Sequence, residues 1–571
     1  MVWPGPGGAG GPGPDGRDPG GPAASWGELA MTDVDVLVAG AGPVGLTAAL
    51  ELRRRGIGCR IIDRLTERAP YAKAVGIQPR TLEIWEHCGV LRDALDAAIE
   101  MRGMQIYTNG KLSFEVQLDL PDEVPFGFVA LPQYETERIL AGQLARLGTC
   151  IERGTELASF EQDAGGVTAQ LAGPAGPQTV RARYLIGCDG AHSAVRAGLG
   201  LDFAGGAFPE QYMLADVVAD WSMPAGVGIR AQHQSDGKTD DLLVCIPLPG
   251  RSRYRMSMFV PPELAAPDPP PGAGAVAHGL DGGRAPELRH IQAVLDRLAP
   301  QPAQASDLRW SSVFRISHRI VDRYRSGRVF VAGDAAHIHP PTGAQGMNTG
   351  IQDAWNLGWK LALAVQGLAS DGLLDSYDAE RRPVGEEVVG QTVRDARTGF
   401  DARPDDPAAM MLREAQLLVG YPDSPVAGEE ITGNQLASGP RPGQRAPDCD
   451  GLRRSAVAFP LRLFEVLDPA DHTLLLYAAS SKQAAGAAAL ISAAQRRAHG
   501  RLRGYLILAP GTPPPADPVP ALTDSGGQFR AAYDAAGGCG YLIRPDGYVG
   551  YRAGQLTEPG LLARLASVFA S

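Results

Sequence analysis

The stretch GRVFVAGDAAHIHPPTGAQGMNTGIQDAWNLGWKLALA, residues 327–364, begins as an apolar strand and ends as a long helix. Between the two lie Asp334 and a turn rich in glycine and proline. Small residues in such a turn let the backbone, rather than side chains, approach a ligand. The stretch therefore predicts a strand–loop–helix unit of an α/β protein, with a ligand at the loop.

A second unit of this kind, strand–turn–helix–strand, occupies residues 34–64. Its Gly40, Gly42 and Gly45 form GxGxxG, which provides a tight turn, close approach of a pyrophosphate, and close packing of helix on strand. Asp63 ends the next strand, 18 residues after Gly45, where a carboxylate can bind ribose hydroxyls. A glycine-rich surface turn and a solvated charge are the alternatives, but the strand–helix context favours a dinucleotide site.

The remaining segments indicate a nucleotide domain built from separated pieces. RARYLIGCDGAHSAVR (181–196) is a third strand that runs into a turn and a helix. Strand-like segments such as DLLVCIPLP fill residues 206–320, which we interpret as an inserted sheet domain. Within it, the proline-rich loop 261–275 is expected to be poorly ordered.

The composition changes after about residue 400. HTLLLYAA (472–479) predicts a buried strand, residues 482–498 predict one alanine-rich helix, and residues 537–553 predict a hairpin around Pro-Asp-Gly. These elements indicate a small β/α domain at the C-terminal end.

Bulk properties exclude several classes. The 571 residues carry a net charge of −11, which does not favour a nucleic-acid partner. The seven cysteines include no CxxC pair, so we expect a reducing cytoplasm, no disulfide framework and no metal site. We find no apolar run of about 18 residues, so no membrane span is expected.

The first residues differ from the rest, since 15 of the first 22 are glycine or proline. Residues 1–30 are therefore predicted to be a disordered tail. Met31 stands just before the first strand pattern, and translation from Met1 or from Met31 stays open.

Residues 34–64, 188–196 and 327–348 together resemble the three nucleotide-site signatures of the FAD-dependent aromatic hydroxylases, the group A flavoprotein monooxygenases with the p-hydroxybenzoate hydroxylase fold. The resemblance spans about residues 33–400, and the three motifs occur in the family's order. It implies a Rossmann-like FAD-binding domain with an inserted mixed β-sheet substrate domain. The C-terminal region resembles the thioredoxin-like domain of phenol hydroxylases and aromatic polyketide hydroxylases. Its Cys539 lacks the second thiol that redox chemistry needs, so a structural role is expected.

Composition, strand patterns and the resemblance together predict the domain limits. They are a tail (1–30), a first FAD-binding part that includes some substrate-domain strands (31–205), the substrate sheet (206–320), a second FAD-binding part (321–400), a linker or helix (401–420) and the thioredoxin-like domain (421–571).

The family's cofactor ligands carry over to positions of this sequence. Asp63 resembles the adenosine-ribose ligand, and Arg80 the arginine near the flavin phosphates. Gln133 matches a glutamine at the ribityl and phosphate region, and Asp189 the aspartate that links FAD and nicotinamide binding. The last motif provides Gly333, Asp334, Gly346, Met347 and Asn348, with Asp334 on the ribityl hydroxyls and the last three at a helix N-terminus that faces the flavin ring.

The activity implied is hydroxylation of a phenolic or polycyclic, polyketide-type aromatic through a flavin C4a-hydroperoxide, with O2 and NADPH or NADH as co-substrates. The family needs no catalytic acid or base, so His337 and His339 are expected to shape the loop. A simple phenol or hydroxyphenyl-acid hydroxylase, a Baeyer–Villiger enzyme and a non-catalytic flavoprotein assembly partner are the alternatives. A homodimer is left open.

Overall fold

The computed structural model describes residues 32–70, 73–265, 276, 279–281, 285–398, 406–431 and 436–571. The predicted tail 1–30, the choice between Met1 and Met31, and most of the proline-rich loop (266–275) lie outside the described residues. In the part of the chain that is described, no helix is long and apolar enough to cross a membrane.

The strands, in chain order, are β1 (Thr32–Ala39), β2 (Cys59–Asp63), β3 (Gly76–Ile77), β4 (Ile99–Met101), β5 (Gly103–Thr108), β6 (Lys111–Gln117), β7 (Phe128–Ala130), β8 (Ile151–Arg153), β9 (Glu156–Gln162), β10 (Val167–Gly173), β11 (Gly176–Gly187), β12 (Phe203–Asp220), β13 (Val227–Ser235), β14 (Lys238–Pro247), β15 (Arg253–Phe259), β16 (Gly279–Asp281), β17 (Gln304–Val321), β18 (Arg325–Ser326), β19 (Val329–Val331), β20 (His337–Ile338), β21 (Gly428–Glu430), β22 (Leu452–Arg453), β23 (His472–Ala478), β24 (Leu502–Leu508), β25 (Ala521–Asp524), β26 (Cys539–Ile543) and β27 (Val549–Ala553).

The α-helices are α1 (Pro43–Arg53), α2 (Pro79–Cys88), α3 (Leu91–Ala97), α4 (Gln133–Arg146), α5 (Ala194–Gly198), α6 (Leu288–Leu298), α7 (Gln345–Val365), α8 (Asp375–Thr398), α9 (Pro407–Glu414), α10 (Leu463–Val466), α11 (Ser481–Ala484), α12 (Ala487–Arg497), α13 (Gln528–Ala532) and α14 (Glu558–Ala566).

The first sheet carries the nucleotide motifs. Its strand order is β18-β19-β11-β1-β2-β8, and β1 pairs in parallel with both β2 and β11. The three predicted strand–turn–helix units therefore leave this sheet side by side, through α1, α5 and α7. Fully buried side chains such as Val36, Val38 and Leu185 fill its strands, as expected for a sheet covered on both faces.

A second, nine-stranded sheet contains β12–β17 together with β5, β6 and β20. One face packs on α6 through buried residues such as Met213, Met256 and Ile291. Near its C-terminal end, β17 pairs with β12 on one edge and with β20 on the other. The short strand β20 belongs to the loop after β19. This pairing brings the second sheet onto the loop of the opening sequence motif.

A third sheet lies in residues 421–571, which we call the C-terminal unit. Its strand order is β21-β27-β26-β23-β24-β25-β22, and β26 and β27 form the predicted hairpin around Pro-Asp-Gly. The prediction of one helix over 482–498 was wrong, because Gly486 adopts a positive φ of 83° and separates α11 from α12. The sheet is mixed, and the thioredoxin-like description stays a prediction.

Cys539 lies in β26 and is buried, and burial raises the pKa of its thiol. All seven cysteines are free. Because a buried thiol with a raised pKa is a poor nucleophile, we expect Cys539→Ala to keep wild-type kcat and KM. Steady-state turnover beside a thermal melt checks this, and a folded variant that has lost most of its activity would contradict it.

Candidate functional site

The glycine turn between β1 and α1 is shaped for close approach. A β-carbon on Gly40, whose φ is 99°, would lie 2.3 Å from the carbonyl oxygen of Cys188, and one on Gly45 would lie 1.9 Å from the Gly40 oxygen. A β-carbon on Gly42 would meet no atom of the described chain within 4 Å outside its neighbours. Gly40 and Gly45 thus close the turn, whereas Gly42 faces open space at the start of α1, where a helix N-terminus favours phosphate.

Asp63 reaches this turn from the end of β2. Its Oδ2 accepts a hydrogen bond of 2.7 Å from the backbone N–H of Ala41, and its Oδ1 accepts one of 2.9 Å from Leu65. The Arg153 guanidinium lies 3.5 Å from Oδ2. The two predicted parts of the dinucleotide site therefore lie together, because β1 and β2 are parallel neighbours.

Asp189 lies just beyond β11, the other neighbour of β1. Its Oδ2 accepts from the backbone N–H groups of Ala194 (2.7 Å) and Val195 (3.2 Å) at the start of α5. Burial raises the pKa of the Asp189 carboxyl. The carboxylate is thus held beside the glycine turn, on the side opposite to Asp63.

Gly333 and Asp334 follow β19 in a short 3-10 turn. Gly333 has a φ of 59°, and its N–H donates to Asp353 Oδ2 at 3.0 Å. Asp334 Oδ2 accepts from Lys73 Nζ at 3.1 Å, and both side chains are about one-third exposed. The pair therefore lines an accessible part of the loop.

Lys73 is a site residue that the sequence reading missed. Its ammonium group lies between Asp334 and the ring of Phe314, whose centroid is 5.7 Å from Nζ. The only available signal was a basic residue just before β3, in the same segment that contains Arg80. Lys73 is the cation of this segment that the structure brings to the loop.

Arg80, predicted to lie near the flavin phosphates, contacts the C-terminal unit in the structure, and its role at the cofactor stays a prediction. Its Nη1 donates to Glu83 Oε2 at 2.8 Å, its Nη2 donates to the carbonyl of Asp546 at 2.8 Å, and its guanidinium lies 5.1 Å from the Tyr548 ring centroid. Arg80 is buried, and it faces the C-terminal unit because that side of α2 packs on the hairpin turn. Its guanidinium therefore lies at the junction between α2 and the C-terminal unit.

Gln133 is the first residue of α4 and lies next to the Lys73 segment. Its Oε1 accepts from the Ala74 N–H at 3.3 Å, and its Nε2 donates to Glu137 at 2.9 Å. Gln133 and Asp334 are thereby both neighbours of the 73–74 segment, as a shared ligand would require.

The N-terminus of α7 is the end of the loop that was predicted to face the flavin ring. Gly343 (φ 68°) and Ala344 (φ 55°) both adopt left-handed backbone before the helix begins at Gln345, and no described side chain caps it. A β-carbon on Gly346 would lie 3.3 Å from His339 Nε2. Met347 is half-buried against the main core. The first amides of α7 are thus available for a ligand atom that carries negative charge.

Asn348 supports this helix end from the inside. Its Oδ1 accepts from the Gln78 N–H (3.0 Å) and the Thr81 hydroxyl (2.7 Å), and its Nδ2 donates to the carbonyls of Gly76 (2.9 Å) and Ala344 (2.7 Å). The side chain is fully buried and saturated with hydrogen bonds. Asn348 can therefore act on a cofactor only through its backbone.

The two loop histidines are buried. His337 Nε2 lies 2.8 Å from Asp353 Oδ2, and His339 Nδ1 lies 2.9 Å from the Pro340 carbonyl. Since a carbonyl only accepts, Nδ1 of His339 carries its hydrogen. Burial and the neighbouring His337 lower the pKa of His339 to about 4, so His339 is neutral at pH 7. These contacts support the prediction that both residues shape the loop. Among the described residues no group of three or more His, Cys, Asp or Glu side chains could hold a metal ion.

An aromatic and aliphatic face of the nine-stranded sheet accompanies the loop. Leu214, Phe314 and Ile316 form a buried cluster with Tyr212 and Trp310, on the side of β12 and β17 opposite to α6. The alternation of large apolar residues in these two strands was the signal, but it could not say which face met the loop.

A Rossmann-type dinucleotide turn, a carboxylate on each side of it and a final loop paired with a second large sheet are the arrangement of an FAD-dependent monooxygenase. A model of a family described as FAD binding domain matches residues 33–392, and the chain belongs to that family.

Two relatives and one solved structure illustrate the similarity. A flavin-dependent monooxygenase of Mycobacteroides abscessus is 33% identical, over 92% of this chain and 97% of the relative. Anhydrotetracycline monooxygenase of Streptomyces rimosus is 32% identical, over 91% and 95%. The structure of aklavinone-11 hydroxylase in a ternary complex with FAD and aklavinone superposes with a TM-score of 0.74 at 28% identity, covering 94% of this chain and all of that one.

Proposed function

We propose that this enzyme hydroxylates a phenolic or polycyclic aromatic substrate of the polyketide type, with O2 and NAD(P)H as co-substrates. The relatives named for anhydrotetracycline and aklavinone, which both cover nearly the whole chain, support this substrate class. All seven cysteines are free thiols, which fits a cytoplasmic enzyme.

The pairing of β17 with β20 is the observation that carries the proposal. It joins Arg319 to Ile338 and Ile320 to His337, so the strand that carries Phe314 and Ile316 is hydrogen-bonded to the loop that carries Asp334. Lys73 bridges the same two parts. An aromatic molecule on the cluster of Leu214 and Phe314 would consequently lie beside a flavin held by this loop.

The residues present fit FAD. In this proposal the space at Gly42 and the N-terminus of α1 hold the pyrophosphate, Asp63 binds the adenosine ribose, and Asp334, with Lys73, binds the ribityl chain. The N-terminus of α7 would lie toward the flavin, and its partial positive charge would favour negative charge on the cofactor. Bound FAD supplies the activation of O2 after reduction by NAD(P)H. The protein orients the two ring systems and excludes water, and no described side chain is needed as a proton donor.

Product analysis and a turnover assay distinguish this proposal from three alternatives. A simple phenol or hydroxyphenyl acid would replace the polycyclic substrate, a Baeyer–Villiger enzyme would insert oxygen beside a ketone, and an assembly partner would bind FAD without turnover. Product analysis separates the first two from hydroxylation of a polyketide, and absence of turnover with every aromatic identifies the third.

We expect the purified holoenzyme to oxidise NAD(P)H slowly and the true substrate to accelerate this at least tenfold, about 1.4 kcal/mol of barrier. The physical reason is that substrate binding would favour the flavin arrangement that accepts hydride, so that NAD(P)H is consumed mainly when a substrate is present. Absorbance at the NAD(P)H band across a panel of phenols and polycyclic polyketides measures the acceleration.

With isotopically labelled O2, one labelled oxygen atom should enter the product. Oxygen that comes from water instead would reject monooxygenation, whatever the flavin content. A non-hydroxylatable analogue is the control, because it should accelerate NAD(P)H oxidation without yielding a hydroxylated product.

A further inference from the structure

The middle of α7 is bound to the turn of the C-terminal hairpin. Trp355 Nε1 donates to the backbone carbonyl of Asp546 at 3.0 Å, and Trp359 Nε1 donates to Asp546 Oδ2 at 3.0 Å. Asp546 lies in the tight turn between β26 and β27. Trp355 and Trp359 are four residues apart and therefore lie on the same face of α7, and this face binds the hairpin turn.

Glu380 of α8 is the charged centre of the same junction. Its carboxylate accepts two hydrogen bonds from Arg544 (2.7 and 2.9 Å), one from Lys360 Nζ (2.7 Å) and one from Asn356 (2.7 Å). Arg544 also donates to both carboxylate oxygens of Asp546. These side chains are fully buried, and two acidic groups face two basic ones. Such a buried network tolerates few geometries, because any shift leaves a buried charge unpaired.

A second path runs from the C-terminal unit to the loop after β19. Asp353 of α7 accepts from the Gly333 N–H and contacts His337, and its Oδ1 accepts from Arg381 Nε at 2.8 Å. Arg381 Nη1 in turn donates to the Tyr421 hydroxyl at 3.1 Å. The Tyr421 ring lies 4.4 Å from that of Tyr548 in the hairpin.

We propose that the hairpin turn and Tyr421 are positioning elements of the flavin site, acting through α7 and through Arg381 and Asp353. The inference rests on the proposed FAD site and adds a role for the C-terminal unit in it. Gly346 precedes Asn356 by ten residues, roughly 15 Å along one continuous helix. Because α7 is rigid over that length, its anchoring at the hairpin sets where its N-terminal amides lie. The Arg381–Asp353 pair sets the position of Gly333.

Arg544→Lys tests the first path. It keeps the charge but removes the planar fork that serves Glu380 and Asp546 together. We expect the dissociation constant of FAD to rise about tenfold, and the visible circular dichroism of the bound flavin to change. Fluorescence quenching on adding FAD to apoprotein measures the affinity, and a thermal melt of the apoprotein measures stability.

Arg552→Lys is the matched control. Arg552 is equally buried, and it binds Glu429 and the carbonyls of Leu436 and Gly439, all within the C-terminal unit. It should lower the melting temperature of the apoprotein as Arg544→Lys does, yet keep the wild-type FAD affinity and flavin spectrum. Equal melting temperatures and wild-type FAD affinity in both variants would overturn the proposal.

Tyr421→Phe tests the second path and decides the question if Arg544→Lys does not fold. It removes one hydroxyl and leaves the ring contact with Tyr548. We expect FAD affinity to fall about threefold, with a shifted flavin spectrum. A Tyr421→Phe protein with wild-type affinity and spectrum would refute this path. Wild-type protein that fails to bind FAD would instead reject the FAD site itself.

Discussion

Replacing Gly42 with valine is expected to yield a folded protein that contains no FAD. The backbone at Gly42 is extended (φ −75°, ψ −178°), which a branched residue adopts readily, and a β-carbon there meets no described atom within 4 Å. The apoprotein should therefore be nearly as stable as wild type, within about 0.5 kcal/mol. The valine methyl groups would, however, fill the space that the pyrophosphate needs. Flavin absorbance after desalting, beside a thermal melt of both apoproteins, checks both parts.

Gly537→Val is the matched control for this substitution. Gly537 is exposed in the C-terminal unit, and a β-carbon there also meets no described atom within 4 Å. Its variant should stay yellow. Gly45→Val should behave differently again, since its β-carbon would lie 1.9 Å from the Gly40 oxygen and would disturb the fold. Stoichiometric flavin in the Gly42→Val protein would contradict the assignment of the pyrophosphate to this turn.

Glu380→Gln is expected to lower the free energy of unfolding by about 3–5 kcal/mol, because it leaves Arg544 and Lys360 buried without full charge compensation. Glu386→Gln is the control on the same helix. Glu386 pairs with Arg382 but is about half exposed, so its loss should cost about 1 kcal/mol or less. Urea unfolding of both variants measures the difference, and equal costs would show that the buried network stabilises the fold no more than an exposed ion pair does.

The contribution of the Glu380 carboxylate to the free energy of unfolding should depend on pH. Burial by itself raises the pKa of Glu380. The opposite charges of Arg544 and Lys360 lower this pKa by more than burial raises it, so the carboxyl has a pKa well below its ordinary value. A carboxyl with a depressed folded-state pKa stabilises fully above its unfolded value, about 4.3, and loses this as pH falls. The stability gap between wild type and Glu380→Gln should therefore narrow below about pH 4. A gap that widens in acid would contradict the assignment.

Local pattern was sufficient for the nucleotide part of the fold. Gly40, Gly42 and Gly45 lie within one turn, and the position of Asp63 follows from the parallel pairing of β1 with β2. The Pro-Asp-Gly hairpin was predictable for the same reason, since a tight turn is specified by adjacent residues. The structure also places Asp189 and Asp334 next to the same sheet, at the ends of β11 and β19.

The segment from Lys73 to Arg80 shows where local pattern stops. Both residues are basic, and the sequence pattern alone does not say which of them lies near the cofactor. The hairpin of the C-terminal unit covers the side of α2 that carries Arg80, which only the tertiary structure could show. Lys73 is left facing Asp334.

Tertiary contacts alone established the aromatic face beside the loop and the buried charges behind α7. The alternation in β12 and β17 predicts two faces, but only the contacts of Lys73 with Phe314 and with Asp334 show which face meets the loop after β19. Glu380 and Arg544 are 164 residues apart in the chain, and each alone would be read as a solvated surface charge. Short-range geometry specifies turns and strands, whereas the burial of a charge depends on which distant group arrives to neutralise it.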